Sequence, residues 1–184
     1  MELFTGSGIA DNKNRTEASA MGEGENSEIY RVPKRKARVL VRMPPSPPAW
    51  KSIFLSSSAA SHQGLETVSD LFNERQLFLP LRGEEGGVTF VRSAAIRWVR
   101  VEDPKDVEWY YYEVREGVAQ ARVQFLFDDG ELLEGTLYAL GRAGEQRVLD
   151  VVNRREEDFL HLEADAGIFL VNLGHVSSIS VMEE

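Results

Sequence analysis

The chain has 184 residues, 42% of them hydrophobic, a net charge of −9 and no cysteine. That is enough apolar material for a globular body of one domain or two small ones, while the missing cysteines exclude disulfides, thiolate metal sites and a cysteine nucleophile. No apolar run of about 18 residues or longer occurs, so a bilayer-spanning helix is not expected.

The first residues, Met1-Glu2-Leu3-Phe4-Thr5, lack the basic and apolar regions of a signal peptide, and Glu2 stands where N-myristoylation needs glycine. A cytoplasmic protein is expected. Its charge is unevenly placed: residues 37–101 hold eight Lys and Arg against five Asp and Glu, whereas residues 120–184 hold five against thirteen. Such asymmetry suits head-to-tail contact between the halves, or two different partners. Nucleic acid would be repelled by the second half, because phosphate neutralisation needs clustered cations.

In chain order, residues 1–36 read as an extended or disordered arm, because the Gly, Ser, Asn, Glu and Ala of its first 30 positions bury too little surface to offset the entropy of ordering. The arm ends in a basic run whose Arg31, Lys34, Arg35 and Lys36 are candidates for contact with anionic lipid or an acidic protein surface. Residues 37–103 form a first expected β-domain, interrupted by Pro44-Pro45-Ser46-Pro47-Pro48, an extended hairpin loop in which Pro47 is a contact candidate. Asp103-Pro104 reads as an N-cap followed by proline at the first position of a linker helix over 104–117, running to about Glu116 and ended by Gly117. Trp109, Tyr110, Tyr111 and Tyr112 would point most of the way round that helix, leaving aromatic surface for a partner.

Residues 118–184 are the second expected β-domain. Arg122–Phe127 alternates with period two, Asp128-Asp129-Gly130 turns it, and Glu131–Ala139 follows with Gly135 where a bent strand needs one. Further strands are expected at Val148–Val152, Phe159–Glu163, Ile168–Asn172 and His175–Met182. The two β-domains share an internal repeat. Val68–Asn73 precedes Val148–Asn153 by 80 residues, and Gly87–Val101 lines up with Gly167–Val181 at the same offset. Phe78-Leu79-Pro80-Leu81 matches Phe159-Leu160-His161-Leu162 after a one-residue shift, and Ala37-Arg38-Val39 matches Ala121-Arg122-Val123. Duplication is the simplest explanation.

No catalytic constellation is apparent. His62, His161 and His175 lack metal-ligand spacing and read as surface or half-buried residues. Asp70 and Asp150, with Asn73 and Asn153, read as a recurring pair of turns closed by their own side chains. Ser56-Ser57-Ser58 lacks a nucleophile-elbow context, and Gly6-Ser7-Gly8 and Gly22-Glu23-Gly24 lie outside any strand–helix unit that would cradle phosphate. Phe90, Arg97, Trp98 and Arg100 have base-stacking chemistry but read as core and rim positions of a sheet. The expectation is therefore a non-enzyme without cofactor, metal or small-molecule substrate.

The second copy resembles the bacterial Sm-like fold in its turn Asp128-Asp129-Gly130, its Gly135, its Asp150–Asn153 segment and its finish Leu173-Gly174-His175-Val176-Ser177-Ser178-Ile179. The resemblance covers about two-thirds of the chain and implies a mainly β protein of two tandem curled sheets or barrels joined by a short helix. Leu173 stands where the RNA-gripping cation of that family belongs, and Ser93-Ala94 replaces cation and glycine in the first copy. Arg31 to Arg35, with Ala59-Ala60-Ser61-His62-Gln63-Gly64, approaches the pattern of cyclic-di-GMP-binding PilZ domains, without its Asp. As a whole, the chain looks like an accessory cytoplasmic-side subunit of a bacterial photosynthetic reaction-centre–light-harvesting complex. That implies protein subunits as partners, a peripheral place on the inner membrane, and a structural role. An Sm-like RNA-binding or PilZ-like nucleotide-binding module is the alternative.

Overall fold

The computed structural model describes residues 34–107, 119–138, 150, 152–153 and 157–182, all within a compact unit spanning Pro33–Glu184. Arg31 and Trp109 to Tyr112 lie outside the described residues. Ten strands are described: β1 (Lys34–Arg42), β2 (Ala49–Ser56), β3 (Phe78–Arg82), β4 (Val88–Arg92), β5 (Trp98–Val101), β6 (Gln120–Phe127), β7 (Leu132–Tyr138), β8 (Phe159–Ala164), β9 (Gly167–Asn172) and β10 (Val176–Val181). One helix, α1 (Val68–Asn73), precedes β3.

The protein is mainly β, as expected. The expected pair of small sheets is instead one ten-stranded sheet, ordered β10-β6-β7-β8-β9-β5-β1-β2-β3-β4. Each half contributes its strands in the same order, last, first, second, third, fourth. The first hairpins also share a register: Ala37 faces Ile53 and Val39 faces Lys51 in one half, and Ala121 faces Leu137 and Val123 faces Gly135 in the other. A 3-10 turn joins fourth to fifth strand in each half, at Ser93–Ala95 and Leu173–His175.

The halves fuse because β5 and β9 pair antiparallel, Trp98 opposite Val171, Val99 opposite Leu170 and Arg100 opposite Phe169. Side chains alternate across a strand, and on β5, β8 and β9 both faces are used. Val99, Val101, Phe159, Ile168 and Leu170 join the first core, with Val39, Ile53 and Leu79. Trp98, Leu160, Leu162, Phe169 and Val171 join the second, with Val123, Phe125 and Phe127. Covered on both faces, these strands run almost continuously apolar (Phe-Leu-His-Leu, Ile-Phe-Leu-Val) instead of alternating.

Two local expectations fail. Val68–Asn73 is not a turn but α1, started by a capping box in which the Thr67 hydroxyl accepts from the Asp70 N–H and the Asp70 carboxylate accepts from the Thr67 N–H. Within the expected strand Val148–Val152, Asp150 and Val152 are helical, matching the place of α1 in the first half. Of the linker helix, a 3-10 turn at Pro104–Asp106 is described, with Asp103 as N-cap accepting from the Lys105 N–H.

Gly135 lets β7 cross close to β8: a Cβ there would lie 2.5 Å from the Glu163 carbonyl oxygen and 2.8 Å from Leu162 Cγ. Gly135→Ala is therefore expected to lower stability by about 1–3 kcal/mol, read as a lower urea midpoint with an unchanged slope.

Candidate functional site

The basic run splits between duties. Ala37, Val39 and Val41 face the core, so Arg35, two positions earlier, points to the same side and pairs with Asp106, with a second bond to the Glu66 carbonyl at 3.1 Å. Lys34 and Lys36 face the other side and are exposed. Arg38 binds Glu84 and Glu102, and both it and Arg100 lie over the Trp50 ring, at 4.9 and 5.3 Å. Pro47 is exposed in the β1–β2 loop. The structure thus leaves Lys34, Lys36 and Pro47 available and commits Arg35 to the fold.

A dense polar cluster among the described residues lies elsewhere, on the seam between the halves. The Arg97 guanidinium is buried, its side chain 3% exposed, and reaches Asp128, Asp129 and Glu131 in the β6–β7 turn. Arg42 donates to Glu131 at 2.9 Å, and the Trp98 indole N–H donates to the same carboxylate at 2.9 Å. Burial alone would lower the pKa of Arg97, but Asp129 and Asp128 hold it above the usual arginine value. Asp128 is held below the carboxylate range by its hydrogen bond with His175 and by Arg97. Asp129 is held low by the Glu131 N–H and by Arg97. Two asparagines complete the seam. Asn73 makes paired bonds with the Phe159 backbone, and Asn172 donates to the Ile96 carbonyl at 2.8 Å. The uneven charge of the halves signalled this contact, whereas the individual roles of Arg97, Asp128 and Glu131 had no marker in a strand and a turn.

The three histidines differ in setting. His62 bonds Asp70 at 3.0 Å, and His175 bonds Asp128 at 3.2 Å and the Ala94 carbonyl at 2.8 Å. His161 is not on the surface but buried, hydrogen-bonded to Ser69 of α1, and burial lowers its pKa to about 4. It is the neutral ring at physiological pH. Among the described residues, no group of three or more His, Cys, Asp or Glu is placed to hold a metal ion.

An open cleft of about 520 Å³ lies on the seam beside the 3-10 turns, lined by Ser93, Ala94, Glu157, Asp158, Asn172 and Leu173 among others. Its described charged residues are carboxylates, a poor match for phosphate. The remaining feature is apolar. Phe78, Val88 and Phe90 on β3 and β4 are 50%, 49% and 70% exposed. Trp98, by contrast, is buried and packs edge-on against Phe169 at 5.2 Å.

No protein-family model matches the chain, and no curated protein or solved structure is found to match it.

Arg97→Met should cost about 2–3 kcal/mol, since a buried charge-assisted network is lost and its carboxylates remain, measured as a shift in the urea midpoint. His161 yields a pH dependence. Its folded pKa near 4 lies below the ordinary histidine value of 6.5, so the unfolded chain binds the extra proton and stability falls as pH drops from about 6.5 to about 4. The full effect is about 3 kcal/mol. His161→Gln should flatten that part of a stability–pH curve and leave the carboxylate-dependent part, below the range of His161, in place.

Proposed function

We propose that this chain is a non-catalytic structural subunit, built of two tandem Sm-like halves, that binds protein partners at the periphery of a larger assembly. The observation that carries this reading is the division of labour among its side chains. The charged and amide groups at the seam are spent on joining the halves, while an apolar face around Phe78, Val88 and Phe90 stands exposed. Exposed apolar patches rimmed by polar residues mark contact surfaces; here Arg82 and Arg92 flank the patch.

The Sm-like reading is supported by the shared strand order of the halves and by the 3-10 turn before each last strand. The RNA grip of that family is not: Leu173 holds the place of the cation, and Glu157 and Asp158 line the neighbouring cleft. A PilZ-like use of Arg35 competes with its bonds to Asp106 and Glu66.

The assembly we assign is the cytoplasmic face of a photosynthetic reaction-centre–light-harvesting complex. Lys34 and Lys36 are exposed at the start of β1, and each cation near anionic lipid contributes about 1 kcal/mol. The arm before them and the aromatic run Trp109 to Tyr112 would carry further contacts. Deleting residues 1–30 should release the chain from the membrane fraction and abolish co-purification with the native complex. Unchanged retention rejects the arm's role, and a chain that never sediments with membranes rejects the location. In filter binding, RNA and cyclic-di-GMP should show no salt-dependent retention.

A further inference from the structure

The two halves differ on one face of the sheet. In the first half Ala37, Val39, Ile53, Leu55, Leu79 and Leu81 point into the first core. Side chains alternate across a strand, so the residues between them point outward. The strand registers set these outward residues side by side: Lys36 lies opposite Phe54, Ser52 opposite Arg82, Val88 opposite Arg82, Phe78 opposite Arg92 and Phe90 opposite Pro80. Phe78, Val88 and Phe90 are 50%, 49% and 70% exposed, and Leu77 next to them is 59% exposed. Cations thus alternate with aromatic and aliphatic groups over the outer face of β1 to β4.

That face is basic. The strands β1 to β5 contain no Asp or Glu. Lys34, Lys36, Arg82 and Arg92 are exposed, and the ion pairs among the described residues leave all four unneutralised. Glu84 and Glu85 are the acidic residues of the β3–β4 turn, and Glu84 is paired with Arg38. The second half carries neither part of this chemistry. Gln120, Glu163 and Asn172 stand at the places of Lys36, Arg82 and Arg92. Phe159, Ile168 and Leu170, the counterparts of Phe78, Val88 and Phe90, are 1%, 5% and 0% exposed.

We propose that this face docks directly on an anionic lipid surface, with Phe78, Val88 and Phe90 entering the headgroup layer while Lys34, Lys36, Arg82 and Arg92 meet the lipid phosphates. Burial of apolar side chains and attraction of cations add together at such a surface, and long Lys and Arg stems let the charged heads reach phosphate beside buried rings. Nucleic acid fits less well. Base stacking needs open rings, and the guanidinium groups of Arg38, Arg100 and Arg82 already lie over Trp50, Trp50 and Phe54, at 4.9, 5.3 and 5.4 Å. A folded protein would have to place a carboxylate against each cation, whereas a lipid leaflet of uniform negative charge needs no such pattern. The same leaflet repels residues 120–184, where thirteen Asp and Glu stand against five Lys and Arg, so the charge asymmetry orients the chain as well as attracting it. This inference rests on the peripheral location proposed above. It gives the exposed face to lipid and leaves the arm and Trp109 to Tyr112 for protein contacts.

The test uses the full chain and protein-free vesicles. The chain should sediment with vesicles of equal parts phosphatidylcholine and phosphatidylglycerol, and stay in solution with phosphatidylcholine alone. Each cation near anionic lipid is worth about fivefold in partitioning, so Lys36→Gln combined with Arg92→Gln should weaken binding about 25-fold. Arg122→Gln, the same charge change on β6, should leave it unchanged, and all variants should keep the native far-UV circular dichroism spectrum. The absence of native cysteine allows a single label. A polarity-sensitive dye on Val88→Cys should shift to the blue on the mixed vesicles, and the same dye on Ser178→Cys of β10 should not. Equal binding to both vesicles, full binding by the double variant, or retention of single-stranded RNA that the double variant loses overturns the proposal. A chain held by native membranes but not by the mixed vesicles rejects this inference alone. Binding to the mixed vesicles by a chain that never sediments with native membranes keeps the lipid face and rejects the location.

Discussion

The pairing of β5 with β9 is the contact on which the rest of the structure depends. It converts what would be two half-covered sheets into a shared wall, because the side chains of β5, β8 and β9 alternate into two different cores. Each apolar residue so buried contributes about 1.5–3 kcal/mol relative to exposure. A non-local strand pair therefore carries a large share of the hydrophobic stabilisation of both halves. The polar groups along the seam add direction. Arg97 and Arg42 reach across to one acidic hairpin, and Asn73 and Asn172 satisfy backbone groups where the halves meet. Apolar surface alone tolerates slippage, whereas these bonds admit one register.

Much of the strand content was legible before any coordinates. The alternation of Arg122–Phe127, the turn at Asp128-Asp129-Gly130 and the place of Gly135 all follow from local chemistry, and the repeat follows from register of apolar residues. The joining of the halves was not legible, because strand pairing between distant segments leaves no local pattern. Beyond the uneven charge of the halves, its trace is the loss of alternation in Phe159–Leu162 and Ile168–Val171, which reads equally as any buried strand. The helix α1 was missed for a different reason. Six residues are too few to show a helical period, and Thr67 with Asp70 looks like turn chemistry unless weighed as a capping box. His161 was misplaced because its burial comes from α1 of the other half, 92 positions away along the chain.

The candidate site shows the same divide. Exposure of Lys34 and Lys36 follows from strand parity once Val39 and Val41 are taken as core, and that parity also turns Arg35 inward. The acidic partners of Arg97 were visible as a charge excess in the second half, without any sign of which cation would meet them. Phe90 illustrates the limit: a phenylalanine in an apolar strand reads as core, and here it is 70% exposed, with no covering layer among the described residues.

The exchange of residues between the cores also governs how the molecule comes apart. Phe159, Ile168 and Leu170 are threaded into one core from the half that owns the other, and Trp98 makes the reciprocal visit. Melting either half strips the wall from its neighbour, so the halves cannot act as independent folding modules. Heating or denaturant should dismantle the described body in a single cooperative step.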